Sequence, residues 1–354
     1  MSFNRRISQT QGLFVSPTGV AGVTGVAQIS RVQSVNDGWE LNRQNVNQFG
    51  QLAALSREIV DAPTVNLSFS YYVTDGADEE RLGFDIDGVN GALTNILNKT
   101  QSEKNYYIPT VPEGEDLAGE AVASIVDTRA IGNGFVSSYS VEGSVGGFLT
   151  ANVSVEASNA AYHLGGSGNP NPAIDPLDGD ALSGTYTLPV GVTGDAGQPI
   201  VLKQGDLSLN FGSIDTIGAT LTGLGAAHIQ SFNLNIPMGR EQLQRLGNRY
   251  AYDRPLTFPI DVTLSVSAFV NQLNTGSLAE LYCGDNKHNI SIVANNSCIG
   301  GGTAEMVYTL KGATLDAKSF TSSIGPAQTV DLTFTASVGG PNDAINNILF
   351  SGSA

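Results

Sequence analysis

The sequence predicts a mainly β protein built from two tandem copies of one domain, and three observations predict it. Of the 354 residues, 42 are Gly and only 14% are charged, a profile that suits strands and turns better than a helical bundle. The stretch "VNLSFSYYV" (Val65 to Val73) alternates apolar and polar side chains almost throughout, which is the period of a half-buried strand. The chain also repeats itself without a gap. "VQSVNDGWELNRQNVNQFGQ" (Val32 to Gln51) falls on "IQSFNLNIPMGREQLQRLGN" (Ile229 to Asn248) at an offset of 197.

Taken in order, the first repeated element is a strand that runs into a long connection. Within it Gln33, Ser34, Asn36, Arg43 and Gly50 meet Gln230, Ser231, Asn233, Arg240 and Gly247. At the same offset Val65 to Val73 meets "VTLSVSAFV" (Val262 to Val270), a second alternating strand. Its apolar side points to a core and its small polar side suits a wall facing water. A short helix is predicted next in each copy, at Gly91 to Lys99 and Gly276 to Gly284. The offset there is 185, so the first copy holds 12 extra residues, placed within "DGADEERLGFDIDG". Ser138 to Ser158 then meets Ala317 to Ser337 at an offset of 179, two strands joined through a Gly-containing turn. The predicted domains are residues 19–163 and 206–340. An N-terminal arm (1–18) and a C-terminal tail (341–354) are expected to pack on neighbours or fray. A Gly/Pro/Asp-rich linker (164–205) separates the copies. A repeat of this length is a domain duplication rather than a solenoid.

Composition and motifs exclude most chemistry. The net charge of −16 and pI near 4.4 oppose tight nucleic-acid binding, which needs clustered Lys and Arg. No apolar run is long enough for a membrane helix, and the start "MSFNRRISQTQ" lacks the apolar core of a secretory signal. Cys283 and Cys298 are expected as reduced thiols. His163, His228 and His288 show no metal-ligand spacing, and His288, in the polar turn "GDNKHN", is expected to be exposed. No P-loop, nucleophile elbow or dinucleotide fingerprint is present. The acidic run Asp75, Asp78, Glu79, Glu80, Asp85 and Asp87 reads as solvated loop surface. A catalytic carboxylate pair there has no echo in the second copy. No enzymatic activity, cofactor or metal is expected.

The strings "SVNDGWELNRQNVNQFGQLAALSREIVDAPTVNLSFSYYVTDG" and "VSSYSVEGSVGGFLTANVSVEASN" resemble the major tail tube proteins of long-tailed bacteriophages, across the cores of both copies. The resemblance implies a β-sandwich-like unit with one flanking helix per copy. It implies inner sheets that join between subunits into a β-barrel around the tail lumen. A duplicated chain implies homotrimeric rings with pseudo-six-fold symmetry, with hexamers as the alternative, stacked head-to-tail in a virion tail made in the bacterial cytoplasm. The implied partners are further copies, tape measure, terminator and baseplate proteins, and genomic DNA in transit without specific binding; no membrane is implied. The polar strand faces would line the channel: Asn66, Ser68, Ser70, Ser140, Glu142, Asn152, Ser154 and Glu156, then Thr263, Ser265, Ser267, Ser319, Thr321, Asp331, Thr333 and Thr335. That lining holds carboxylates and no Lys or Arg, the sign a low-friction DNA duct needs. The long connections (Asn42 to Ala62 and Gly239 to Pro259) would reach the next ring. Arg43, Arg57, Glu58, Arg240, Glu241 and Arg245 are the contact candidates there, with Asp78, Glu79 and Glu80 as a partner surface. The alternatives are a distal tail or tube terminator protein, the tube of a type VI or phage-like injection machine, and a carbohydrate-binding β-sandwich. The last predicts aromatic clusters that Trp39 and scattered Tyr do not supply.

Overall fold

The computed structural model describes residues 5–16, 25–117, 126–164, 169–189, 201–203, 207–213, 228–269, 287–295, 304–321, 328–341, 343 and 345–353. The predicted second helix (276–284), Cys283 and Cys298 lie outside the described residues.

The first half supplies strands β1 (Phe14–Val15), β2 (Ala27–Gln28), β3 (Val32–Glu40), β4 (Arg43–Val46), β5 (Ser56–Ile59) and β6 (Thr64–Tyr72). Helices α1 (Ala77–Leu82) and α2 (Thr94–Leu97) follow, then β7 (Lys104–Thr110), β8 (Asp127–Ser144), β9 (Thr150–Ala157) and β10 (Asn159–His163). The second half supplies β11 (Leu207–Ser213), β12 (His228–Pro237), β13 (Asp261–Phe269), β14 (His288–Asn295), β15 (Ala304–Thr321), β16 (Thr329–Ser337) and β17 (Asn347–Gly352). The fold is mainly β, as predicted.

The two copies share one construction. Strands β8 and β15 are 18 residues each and take part in two sheets. Their N-terminal parts pair with β7 and β10 in the first copy, and with β14 and β17 in the second. Their C-terminal parts pair with β9 and β16. The change of sheet falls on a register shift in each, between Val136 and Ser138 and between Leu315 and Ala317, which are equivalent positions at the 179 offset. A bulge is the usual device for bending a strand from one sheet to another. A second matched pair of shifts, Val32/Ser34 and Ile229/Ser231, lies in β3 and β12. The core lies between the sheets: Leu67, Phe69, Tyr139, Val153, Leu264, Leu332, Phe334 and Tyr308 are all buried in one cluster.

The structure adds detail at both ends and in the linker. Within 1–18, β1 pairs with β7, and within 341–354, β17 pairs with β15 and buries Ile348 and Phe350 completely. The described part of each stretch is thus paired into a sheet. Residues 169–189 of the linker pack on the first copy, where the Tyr186 ring lies 4.1 Å from that of Tyr107 at a tilt of 38° and joins Phe14, Ala130 and Leu188 in a second apolar cluster. Gly and Pro mark turns, but they do not preclude a buried aromatic between them. The first copy carries α1 as well as the predicted helix, which shortens to Thr94–Leu97.

Candidate functional site

Four strands of each copy form one uninterrupted antiparallel arc in the order β3-β6-β9-β8-β12-β13-β16-β15. The joint between copies is β8 against β12, with Glu142 opposite Asn233, Ser140 opposite Asn235 and Tyr139 opposite Ile236. Registered neighbours share a sheet face, because successive side chains alternate across the pleat. Asn66 faces Glu156, Ser68 faces Ser154 and Ser70 faces Asn152; Asn152 faces Ser140; Ser265 faces Thr333 and Ser267 faces Asp331; Asp331 faces Ser319. The arc therefore brings all sixteen polar-face candidates onto one side, and every one is at least partly exposed. The opposite face, with Leu67, Val141, Leu234, Leu264 and Leu332, is buried.

That polar face is hollowed. One depression of about 600 Å³ is lined by Glu142, Asn233, Ser265, Asp331 and Thr333, with Tyr72 and Phe148 at its border. Another, of about 380 Å³, is lined by Asn36, Asn66, Ser68, Ser154 and Glu156. The sequence reading omitted Ser34 and Asn36 on β3 and Ser231, Asn233 and Asn235 on β12, although period-two alternation on those strands carried the signal. Glu156 is not wholly given to this face, since it lies 3.5 Å from Arg254 Nη1.

The arc has two open edges. Among the described residues no strand pairs with the outer edge of β3 or with the outer edge of residues 314–321 of β15. Trp39 on β3 is 67% exposed, whereas Ile236, its counterpart on β12, is fully buried at the joint. Phe320 on β15 is 51% exposed with Lys318 Nζ 4.8 Å above its ring, whereas its counterpart Val141 is fully buried.

The long connections are hairpin arms of one design. In the first copy β4 pairs with β5, Arg43 opposite Ile59 and Val46 opposite Ser56. The second copy keeps bridges at the equivalent Arg240/Leu256 and Leu243/Asp253 positions. Both arms turn through an open glycine with φ near +90°, Gly50 and Gly247, a conformation that glycine adopts without a steric cost. Phe49, Leu52 and Leu246 at the tips are fully exposed.

The charged candidates separate into two groups. Arg43, Arg57, Glu58, Glu241, Arg245 and Glu80 are exposed; Arg245 donates to Asn248 and lies 5.5 Å from the Tyr252 ring. Arg240 is not available at a ring-to-ring surface. Its Nε donates to the Val136 carbonyl at 2.8 Å and its Nη1 to the Arg254 carbonyl at 2.9 Å, while the guanidinium sits 5.0 Å from the Phe135 ring. Burial lowers its pKa to about 10.

Asp78 and Glu79 are also not surface: they are 1% and 0% exposed, because α1 packs its first turn inward. Asp78 accepts from the Ser30 amide and from Arg81; burial, and then the neighbouring Glu79, push its pKa up to about 7 against those two donors. Glu79 Oε1 accepts from the hydroxyls of Tyr71 at 2.9 Å, Tyr139 at 2.8 Å and Tyr308 at 3.5 Å. Burial raises the pKa of this carboxyl too. Tyr71 and Tyr139 belong to the first copy and Tyr308 to the second, so one carboxylate ties the copies together. His288 is likewise buried, edge-on to Phe334, in contrast to its expected exposure. Among the described residues no three His, Cys, Asp or Glu side chains gather at a metal-sized site, and no helix is long and apolar enough to cross a membrane.

No protein-family model matches the chain, and no curated protein matches it in sequence. Among solved structures, a chain of the anti-feeding prophage cap, a tube-terminating cap, is similar over 45% of this chain and 97% of its own, at 9% identity and a TM-score of 0.30. A chain of the anti-feeding prophage baseplate is similar over 41% of this chain and 91% of its own, at 11% identity and a TM-score of 0.25. Likenesses this weak assign no function, which rests on the chain's own geometry.

Proposed function

We propose that this chain is a structural subunit of a phage tail tube, polymerising as stacked rings whose lumen conducts DNA. The observation that carries the reading is the β8·β12 joint, where one copy already docks on the other edge to edge with polar residues on one face. Repeating that joint between chains pairs the open edge of β15 with the open edge of β3. The 179 and 197 offsets then fix the register: Thr321 opposite Asn36, Ser319 opposite Gly38, Phe320 opposite Asp37 and Lys318 opposite Trp39. This covers the exposed Trp39 and Phe320 and removes both free edges, which otherwise invite uncontrolled pairing.

Three eight-stranded arcs close a 24-stranded barrel. At ~4.8 Å between strands and a tilt of ~36–45°, its backbone diameter is about 45–50 Å, roughly twice the width of a DNA duplex. Six chains per ring would double the strand count. Glu142 and Asp331 stand on the lumen face of the arc, and Glu156 beside them is partly neutralised by Arg254, so the duplex meets net repulsion rather than counterion-releasing contacts. The bare tips Phe49, Leu52 and Leu246 are the surface left for the next ring. Tape measure, terminator and baseplate proteins are the partners this role requires.

Negative-stain microscopy of the purified chain tests the reading. Tubes with three chains per ring are expected. Single rings that never stack would make it a cap, and a chain that stays monomeric at all concentrations would refute a tube.

A further inference from the structure

The second copy's arm does not reach away from the sheet; its base clasps the first copy. Arg254, 1% exposed, lies across the end of β9, with Nη1 3.5 Å from Glu156, and Nη2 3.4 Å from the Ala157 carbonyl and 3.5 Å from Ser158 Oγ. Arg240 holds the Val136 carbonyl beside it. At the 197 offset the first copy's arm carries an arginine at both positions, Arg43 and Arg57, and in the single chain both are exposed. At the 179 offset their targets become Leu315, Thr335, Ala336 and Ser337. Ser158, under its clasp, is 6% exposed; Ser337 is exposed.

From this mismatch we infer that the β4–β5 arm is a lateral clasp for a second copy of this chain, with Arg57 lying across the end of β16 of the neighbour in the same ring and Arg43 reaching its Leu315 carbonyl. This rests on the ring reading and deepens it. The electrostatics support the occupant. Thr335 replaces Glu156 in the second copy, so the carboxylate that Arg254 uses is missing there. Asp261, on the adjacent strand, stands opposite Ser337 and accepts from its hydroxyl. The acid has moved to the neighbouring strand while staying at the same end of the sheet, within reach of a guanidinium on Ser337. Asp261 is exposed in the single chain, and an arginine that covers it gains a charge-assisted bond. The base of each arm is thereby assigned to the ring, and only its tip to the ring above.

The test uses the full chain. Arg57→Glu is expected to raise the concentration needed for assembly at least tenfold, read by sedimentation, with an unchanged circular dichroism spectrum because Arg57 touches nothing buried. Arg57→Glu combined with Asp261→Arg is expected to restore assembly. Independently, Arg57→Cys with Ser337→Cys, in a background with Cys283 and Cys298 replaced by serine, is bridged with a short bis-maleimide. Covalent species ending at three chains support the clasp. A ladder continuing past the ring, or no bridging although tubes form, overturns it. If Arg57→Glu assembles like the wild type, the clasp falls and the tube reading stands. A wild-type chain that never assembles overturns both.

Discussion

Replacing Glu79 with alanine removes the carboxylate on which Tyr71, Tyr139 and Tyr308 converge. The structure sets the size of the effect. All three tyrosines are at most 1% exposed, so water does not replace the lost acceptor. Tyr71 is left with none. Tyr139 and Tyr308 hydroxyls remain 3.2 Å apart, so one donates to the other and one is orphaned. Two buried hydroxyls without acceptors cost about 1–3 kcal/mol each, and relief from burying a carboxylate offsets part of that. A net loss of about 2–4 kcal/mol is expected, read from the midpoint and slope of urea unfolding. Glu79→Gln keeps the acceptor at Oε1 but places an amide donor where Oε2 has no partner, and is expected to cost about half as much. An alanine variant within about 0.5 kcal/mol of wild type would refute the view that this carboxylate holds the copies together.

Two further outcomes follow from burial. Arg254→Ala is expected to destabilise the monomer by about 2–4 kcal/mol, because the Ala157 carbonyl and Ser158 lose a donor and a buried stem is removed; its exposed counterpart change, Arg57→Ala, should shift monomer unfolding by less than about 0.5 kcal/mol. The Asp78 pKa is raised from 3.8 to about 7, so its protonated form contributes stability that is complete below about pH 4 and is lost as pH rises through about 7. Stability, read as the melting temperature, should therefore fall between pH 5 and pH 8, by up to ~3 kcal/mol, and Asp78→Asn should flatten that fall.

Much of this architecture was legible because backbone periodicity and repetition are written directly in the residues. Alternation places Asn66, Ser154, Ser265 and Thr333 on one side of their strands, and the ungapped repeat pairs Gly50 with Gly247; the matched bulges are visible only in the strand registers. What escaped was set by partners far away in sequence. Asp78 and Glu79 look like any acidic run; Glu79 is accommodated by the hydroxyls of the distant Tyr139 and Tyr308, and Asp78 by the Ser30 amide and Arg81. Arg240 and Arg43 are identical in sequence terms. One is enclosed because the first copy lies beside it, and the other is exposed, with its Nη1 donating only to the Arg57 carbonyl of its own arm among the described residues. The strands at residues 14–15 and 347–352 are short and are recognisable only by the edges they complete.

The peptide link across the β8·β12 joint has a kinetic consequence. Each free association surrenders translational and rotational freedom worth about 4–15 kcal/mol. A ring of six separate units suffers that loss five times, and a ring of three double units only twice. In the proposed ring of three, half of the seams would form during folding, at an effective concentration set by chain geometry rather than by how much protein the cell has made. Polymerisation of such a subunit would thus begin at a lower threshold and pass through fewer partial rings, leaving fewer open arcs exposed to mispairing.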